Sequence, residues 1–331
     1  MAAGEVRLVR DYEARLRPLA ADDLDRLHGL CIGVGWPHRA EDLRLLMAVG
    51  DGFMACDAIG RAIGSAMWFA SGAGFATIGM VITTPPLQSL GAGRWLMDHV
   101  LARCAGRDLM LVATRAAYRL YFAAGFEPFG IVAQHQGTAR APSPVRPESG
   151  GRLRPVAEGD LPALLGLDAA GFGAARTAIL PALLAASDAV ILERGGAPAG
   201  FVFDRPFGRG RVVGPLVAAS AADAVALAAD VMTRHAGTFL RLDLPVWERP
   251  AASGAGFGVP AGGAAEATFS GFLTGCGLER LDRNTLMRKA RSGAAHESGP
   301  VRESGLMQES SLPAAGAGDI MTFALAAQAL G

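Results

Sequence analysis

Residues 78–100 combine residue types and spacings that can bind a phosphate group. The segment reads IGMVITTPPLQSLGAGRWLMDHV: an apolar, β-branched run reaches Pro85-Pro86, and a helical pattern begins after Gly91 and Gly93. Proline cannot extend the hydrogen-bond ladder of a strand, so the strand ends there. A loop that leads from a strand into a helix aims several backbone N–H groups and the positive end of the helix dipole at one position. Because glycine lets an anion touch that backbone, the pattern is typical of a phosphate site; a tight turn without a ligand is the alternative.

A second segment, residues 109–126, supplies a candidate proton donor. It reads LMLVATRAAYRLYFAAGF, which predicts a strand over 109–113, a short helix and an exit at Gly125-Phe126, with Tyr121 near the helix end. A Gln-x-x-Gly-x-Gly loop at residues 88–93, followed about thirty residues later by Tyr-x-x-x-Gly-Phe at residues 121–126, closely resembles the GNAT acetyltransferase superfamily. That resemblance implies transfer of an acetyl group from acetyl-CoA to an amine.

The resemblance also assigns residues to the cofactor and to the reaction. Tyr121 would protonate the departing CoA thiolate, since a phenol with a pKa near 10 keeps its proton at neutral pH; a packed aromatic side chain is the alternative. Thr114 stands where the family frequently has Asn, which puts a hydrogen bond to pantetheine in question. Main-chain groups would hold the pantetheine at Val81, Ile82 and Thr83, and the pyrophosphate at Gln88, Ser89, Leu90, Gly91, Ala92, Gly93 and Arg94.

Two further features bear on the site. Position 90 is Leu where family members often carry a basic residue; Arg94 could supply that contact, and an exposed helix arginine is the alternative.

In this fold the loop between the first two helices usually lines the acceptor pocket. That loop is residues 33–39 here, so Trp36 and His38 are the predicted acceptor contacts, with packing within the turn as the alternative for Trp36. The loop has no acidic cluster, which disfavours polycationic acceptors, and no general base can be assigned.

Composition and charge exclude several classes of protein. The 31 basic and 31 acidic residues of this 331-residue chain balance, which argues against a broad surface for nucleic acid or an acidic membrane. The four cysteines show no Cys-x-x-Cys pair and the six histidines no i, i+4 pair, so we expect reduced thiols and no metal site. No signal peptide or membrane span is evident. We therefore expect a cytoplasmic protein without nucleic-acid or membrane partners; the sequence does not predict its oligomeric state.

The chain contains an internal repeat. Residues 16–30, LRPLAADDLDRLHGL, match residues 153–167, LRPVAEGDLPALLGL, at nine of fifteen positions. Each copy reads as a strand, a turn and a helix. Strands followed by crossover helices indicate a mixed α/β sheet, and the repeat predicts two GNAT folds in tandem.

The repeat and the composition together predict the domain boundaries. We place the first domain at residues 14–135 and the second at 152–290, joined by a Pro/Gly/Ser-rich linker at 136–151. Residues 291–318 are Ser/Gly/Glu-rich and are expected to be disordered. The apolar residues 319–331 are expected to dock on the body, with Asp319 as a possible helix cap.

The second copy lacks both motifs. Where the glycine loop should lie, residues 218–223 read AASAAD, and Asp223 would repel a pyrophosphate; Leu273 takes the place of the tyrosine. We interpret this copy as catalytically silent, packed on the first and able to complete its acceptor site. The predicted function is an acetyl-CoA-dependent N-acetyltransferase for a small-molecule amine. The alternatives are a CoA-binding sensor without turnover and a protein N-acetyltransferase.

Overall fold

The structure, a computed structural model, describes residues 6–9, 12–88, 90–247, 264–291, 320–326 and 330. The first half contributes the strands β1 (Val6–Val9), β2 (Tyr12–Pro18), β3 (Asp51–Asp57), β4 (Ala62–Ser71), β5 (Phe75–Thr83), β6 (Asp108–Ala113) and β7 (Glu127–Thr138). Its helices are α1 (Leu24–Gly33), α2 (Ala40–Val49), α3 (Ala92–Arg103) and α4 (Tyr118–Ala123).

The second half contributes the strands β8 (Arg152–Pro155), β9 (Asp188–Arg194), β10 (Ala197–Phe207), β11 (Gly210–Ala218), β12 (Phe239–Trp247) and β13 (Glu279–Lys289). Its helices are α5 (Leu161–Phe172), α6 (Ile179–Ala185), α7 (Ala221–Arg234) and α8 (Ala264–Gly275). From β2 and from β8 onward, the halves repeat one order: strand, two helices, three strands, helix, strand, helix, strand. The predicted mixed α/β class and the tandem repeat are confirmed. None of the helices in the described part of the chain has the length and apolarity that a membrane crossing requires.

One sheet runs through both halves. Its strand order among the described residues is β1-β2-β3-β4-β5-β6-β13-β7-β12-β11-β10-β9-β8. The last strands of the two halves are exchanged at its centre: β13 pairs with β6 of the first half over residues 285–289, and β7 pairs with β12 of the second half over residues 130–138. β7 and β13 also pair with each other. Neither half therefore completes its own sheet.

The exchange carries side chains into the opposite core. Met287 of β13 is fully buried in the first-half core together with Trp95, Tyr121 and Phe126. The neighbouring Leu286, on the other face of the strand, is buried in a cluster shared by both halves. Burial on both faces fixes the register of β13, since a slip by one residue would interchange these two side chains.

Two terminal segments differ from the expected pattern. The strand β7 continues to Thr138, inside the predicted linker 136–151, because its last residues pair with β12. The C-terminal segment does dock, but as the strand β14 (Met321–Ala324) and not as a helix. Asp319 and residues 292–318 lie outside the described residues, so the expectation of disorder for 291–318 stays a prediction.

Candidate active site

The loop before α3 has the geometry of an anion site. After β5 the chain makes a short turn at Pro85–Leu87, and Gly91 precedes α3 with a φ of +87°. The first bond inside the helix runs from the Trp95 amide to the Gly91 carbonyl oxygen (3.0 Å). The amides of the first three helical residues, 92–94, therefore have no acceptor within the helix. This end of α3 can hold a phosphate through main-chain groups.

The structure explains why positions 91 and 93 are both glycine. Gly91 adopts a positive φ that other residues rarely adopt. A Cβ on Gly93 would lie 3.1 Å from the Leu120 Cδ2 atom, so this glycine allows α3 to approach α4 closely. Gly93 thus serves the packing of the two helices in addition to the approach of an anion that the sequence predicts.

The other predicted loop residues have local partners. Gln88 Nε2 donates to the Thr83 carbonyl oxygen (3.2 Å), and the half-buried Leu90 packs against the first-half core. Arg94 donates to the Asp98 carboxylate (2.7 Å) and to the Ala123 carbonyl oxygen (2.8 Å). Its guanidinium thus links α3 to the end of α4, and its predicted contact with a phosphate stays a prediction. Ser89 lies outside the described residues.

Next to this loop, β5 and β6 separate. They pair in parallel only from Phe75 to Ile78, opposite residues 108–111. Beyond that point β5 has a bulge against β4, where Met80 takes a φ of +52°. The buried Ser65 hydroxyl donates to the Met80 carbonyl oxygen (2.8 Å) and stabilises the bulge. The opening between the strands can accept an extended ligand that pairs with the backbone of β5 at Val81 and its neighbours.

Tyr121 is held in place by the end of α4. The Phe126 amide donates to the Tyr121 carbonyl oxygen and the Gly125 amide to that of Phe122 (both 3.0 Å), while Gly125 has a φ of +85°. This is a Schellman motif, and the accompanying apolar contact is the edge-to-face pair of Tyr121 and Phe126, whose ring centroids are 6.2 Å apart. The Tyr-x-x-x-Gly-Phe spacing is thus a helix-termination pattern. Burial raises the pKa of Tyr121 above its usual value, so the phenol keeps its proton.

A cavity of about 710 Å³ lies between the two halves. Five of the predicted site residues meet there: Trp36, His38, Val81, Thr114 and Tyr121. The predicted residues Ile82, Thr83, Gln88 and 90–94 do not line it. The cavity and the loop before α3 are therefore two separate parts of the site, connected along β5.

His38 contacts the second half directly. Its ring lies 5.7 Å from Trp36 and 5.3 Å, edge-to-face, from Phe207. Burial lowers its pKa to about 4, so the imidazole is neutral at pH 7. A neutral, enclosed imidazole at this place can contact a ligand without adding charge.

Sequence reasoning did not name the residues that the second half contributes to the cavity. They are mainly arginines and aromatic residues: Arg205, Phe207, Arg209, Arg211, Phe239 and Arg241, with Asp243 and with Asn284 from the exchanged β13. The signal available in the sequence was the hairpin DRPFGRGR at residues 204–211, which places three arginines within seven residues. Only the fold shows that this hairpin faces the first half.

In the second half, the counterpart of the phosphate loop is closed by its own side chains. The Ser220 hydroxyl oxygen accepts a hydrogen bond from the Asp223 amide (3.1 Å) and caps α7. The buried Asp223 carboxylate pairs with Arg194 (2.8 Å). The Asp223 amide, which could otherwise bind a phosphate, is thus satisfied internally, and a carboxylate lies beside it.

The cleft between β11 and β12 is filled by the C-terminal segment. The strand β14 pairs antiparallel with β11 at residues 216–218, and the Leu325 amide donates to the Asp243 carbonyl oxygen of β12 (2.9 Å). A buried ion pair anchors the segment: Arg176 binds Asp168 and also donates to the Leu330 carbonyl oxygen (3.2 Å). The second half thus lacks an open cleft of the kind found between β5 and β6.

One group of potential metal ligands occurs among the described residues, consisting of Asp188, Asp204 and His235. Arg211 pairs with both carboxylates, and Arg234 binds Asp204 as well (3.0 Å). The guanidinium groups already offset the negative charge. We therefore assign this group to the ion-pair network under the β10–β11 hairpin.

Comparisons with known proteins cover both halves. Residues 21–126 match the model of the acetyltransferase (GNAT) family, and residues 164–254 match that of an acetyltransferase (GNAT) domain. The uncharacterized N-acetyltransferase YitH of Bacillus subtilis is 28% identical over 239 residues, which cover 68% of this chain and 82% of that protein.

Solved structures share the fold of the whole chain. A protein from Pyrococcus horikoshii described as a candidate acetyltransferase superposes with a TM-score of 0.68 and 16% identity, covering 96% of both chains. A tandem GNAT protein from the clavulanic acid biosynthesis pathway gives a TM-score of 0.54 and 15% identity, covering 84% of this chain and 98% of that one.

Proposed function

This chain is a two-domain member of the GNAT superfamily, and from that premise we propose that it is an acetyl-CoA-dependent N-acetyltransferase acting on a small-molecule amine. The observation that carries the proposal is the arrangement of the first half. β5 and β6 pair only as far as Ile78, the free amides at the start of α3 follow the end of β5, and the buried Tyr121 lines the cavity that Val81 of β5 also lines.

The residues present fit acetyl-CoA. The amides of residues 92–94 can bind its pyrophosphate, since they have no acceptor within the helix. The backbone of β5 beyond the bulge at Met80 can pair with pantetheine as an added strand would. When bound, acetyl-CoA supplies an acetyl thioester that a neutral amine can attack.

Tyr121 can act as the proton donor of the reaction. It lines the cavity, is only 6% exposed and holds its proton because burial disfavours the phenolate. A thiolate leaving group, with a usual pKa of about 8.5, can take up that proton. The phenol regains it from solvent, and the amine nitrogen loses its own proton to water. No other residue of the chain needs to change charge in this scheme.

The enclosing second half favours a small acceptor. The end of the cavity beyond Trp36 and His38 is walled by Phe207 and its neighbouring arginines. Arg39 on the first half donates to the Pro206 carbonyl oxygen (2.6 Å), which ties the two walls together. A small amine fits between these walls more readily than a folded protein surface does.

The test is thiol release from acetyl-CoA with a panel of small amines. We expect turnover by the wild type, and about a 100-fold lower kcat for Tyr121→Phe with an unchanged Kd for CoA, since general acids typically contribute 100-fold or more. Tyr118→Phe, on the same helix but outside the cavity lining, is the matched control. Binding of CoA without turnover on any amine would favour the sensor alternative, and an unchanged rate for Tyr121→Phe would remove this residue from the mechanism.

A further inference from the structure

The wall that the second half presents to the cavity is cationic. Four arginines line it: Arg205 from β10, Arg209 from the following turn, Arg211 from β11 and Arg241 from β12. We call these four residues the cationic wall. They line the same cavity as Val81 and Tyr121.

Two arginines of the cationic wall are neutralised by neighbouring carboxylates. Arg211 pairs with Asp204 (2.6 Å) and with Asp188. Arg241 pairs with Asp243 (2.8 Å). These ion pairs fix the positions of the two guanidinium groups and leave little charge for a ligand.

The other two arginines are not fully compensated. Among the described residues, Arg205 has one carboxylate partner, Asp42 (3.3 Å), which is held more closely by Arg39 (3.0 Å). Arg209 stacks on Phe239 at 3.9 Å and has no carboxylate partner among the described residues. The wall therefore carries excess positive charge at these two residues.

Arg205 also has an unsatisfied donor. The residue is 3% exposed, and among the described residues its buried Nε has no hydrogen-bond partner. Burying a donor without a partner is unfavourable, so such groups in native proteins are usually satisfied by protein, water or a ligand. A buried guanidinium on a cavity wall is suited to bind an anionic oxygen group.

We propose that the acceptor amine also carries an anionic group, a carboxylate or a phosphate, which is bound at Arg205 and Arg209. Guanidinium groups present planar pairs of donors that match both kinds of oxygen anion. Binding at this wall places the acceptor in the cavity that Val81 and Tyr121 also line. The proposal rests on the proposed acetyltransferase function and names the class of its substrate.

The test compares amines that differ only in the anionic group. The probes are β-alanine against its amide and 2-aminoethyl phosphate against ethanolamine, each assayed by thiol release from acetyl-CoA. We expect kcat/KM to be at least about 10-fold higher for one anionic member than for its neutral counterpart. The pair that shows the preference identifies the anion as carboxylate or phosphate. Equal rates within both pairs would overturn the proposal while leaving the acetyltransferase function intact.

The variant test uses Arg209→Gln, since Arg209 is exposed and its replacement should not impair folding. We expect the KM of the preferred anionic amine to rise about 10- to 100-fold, as for loss of a charged hydrogen bond, with the KM of acetyl-CoA unchanged. Arg152→Gln, an exposed arginine outside the cavity, is the matched control. A rise in the KM of acetyl-CoA alone would overturn the proposal, because Arg209 would then serve the cofactor.

A binding measurement separates this proposal from the proposed function. Calorimetry with β-alanine and with 2-aminoethyl phosphate is carried out on the CoA-saturated wild type and on Arg209→Gln. Binding that is lost in the variant, without turnover on any amine, would support the anion site and refute the acetyltransferase function. Absence of both binding and turnover would refute the two together.

Discussion

Replacing Met287 by alanine should destabilise the first half of the protein, although Met287 belongs to the second half in sequence. Met287 lies on β13 of the second half, yet it is fully buried in the first-half core against residues such as Trp95 and Tyr121. Deleting a buried Met side chain costs about 2–5 kcal/mol, from the lost transfer free energy and the cavity left behind. Since domains are typically stable by about 5–15 kcal/mol, this is a large part of the total.

The assay is urea unfolding followed by two signals. Tryptophan fluorescence includes Trp68 and Trp95 in the first-half core, while far-UV circular dichroism reports on the whole chain. We expect both signals of Met287→Ala to shift together to lower urea, because the exchanged strands couple the two halves. Leu281→Ala, on the same strand but 58% exposed, is the matched control and should change stability by less than about 0.5 kcal/mol.

Independent unfolding of the two halves would contradict this coupling. If the fluorescence transition of Met287→Ala stayed at the wild-type urea concentration while only the circular dichroism moved, β13 would not complete the first half. Two separate transitions in the wild type would have the same meaning, because the halves would then unfold independently.

Three further predictions follow from the site. Gly93→Val should raise the Kd for CoA about tenfold or more, because its Cβ would lie 3.1 Å from Leu120. Gly29→Ala, which has free space around it, should leave this Kd unchanged, and calorimetry measures both. Folding lowers the pKa of His38 to about 4, so below about pH 6.5 the unfolded chain binds a proton that the folded chain does not. The free energy of unfolding should therefore fall as pH decreases from 6.5 to 4, by at most about 1.4 kcal/mol per pH unit. Urea titrations at several pH values should show this fall in the wild type and a smaller one in His38→Gln. A chain ending at residue 318 loses the buried Leu325 and Leu330, so its free energy of unfolding should be lower by about 3–6 kcal/mol. This truncated chain should still bind one CoA per chain. Binding of a second CoA would show that β14 blocks a working site in the second half.

Local sequence patterns predicted the turn and the helix end of the first half's candidate site, because local interactions determine them. The Tyr-x-x-x-Gly-Phe spacing is a helix end whose hydrogen bonds span six residues, and Gly91 has a φ that its residue type permits. The repeat of residues 16–30 at 153–167 likewise predicted two copies of one fold, which the structure confirms.

The remaining features depend on pairing between distant segments. The apolar residues of β13 would suit a sheet of either half, so its sequence does not tell which strand it joins. The C-terminal segment is a strand because the cleft between β11 and β12 offers unpaired backbone groups, and nothing in its own residues requires that. The contribution of Arg205 and Arg209 to the cavity follows from the packing of the halves, which a local pattern does not encode.

The exchanged strands also bear on how the nascent chain acquires its structure. The first half receives the strand beside β6 from residues 279–289, which the ribosome synthesises after all of the first half's own strands. At a rate of about 5–20 residues per second, more than 140 residues must follow β7 before that strand is available, so about 7–30 s pass during translation. During that time the edges of β6 and β7 are unpaired and can associate with other chains. The sheet around the proposed acetyl-CoA site can therefore be completed only after residues 279–289 have been translated.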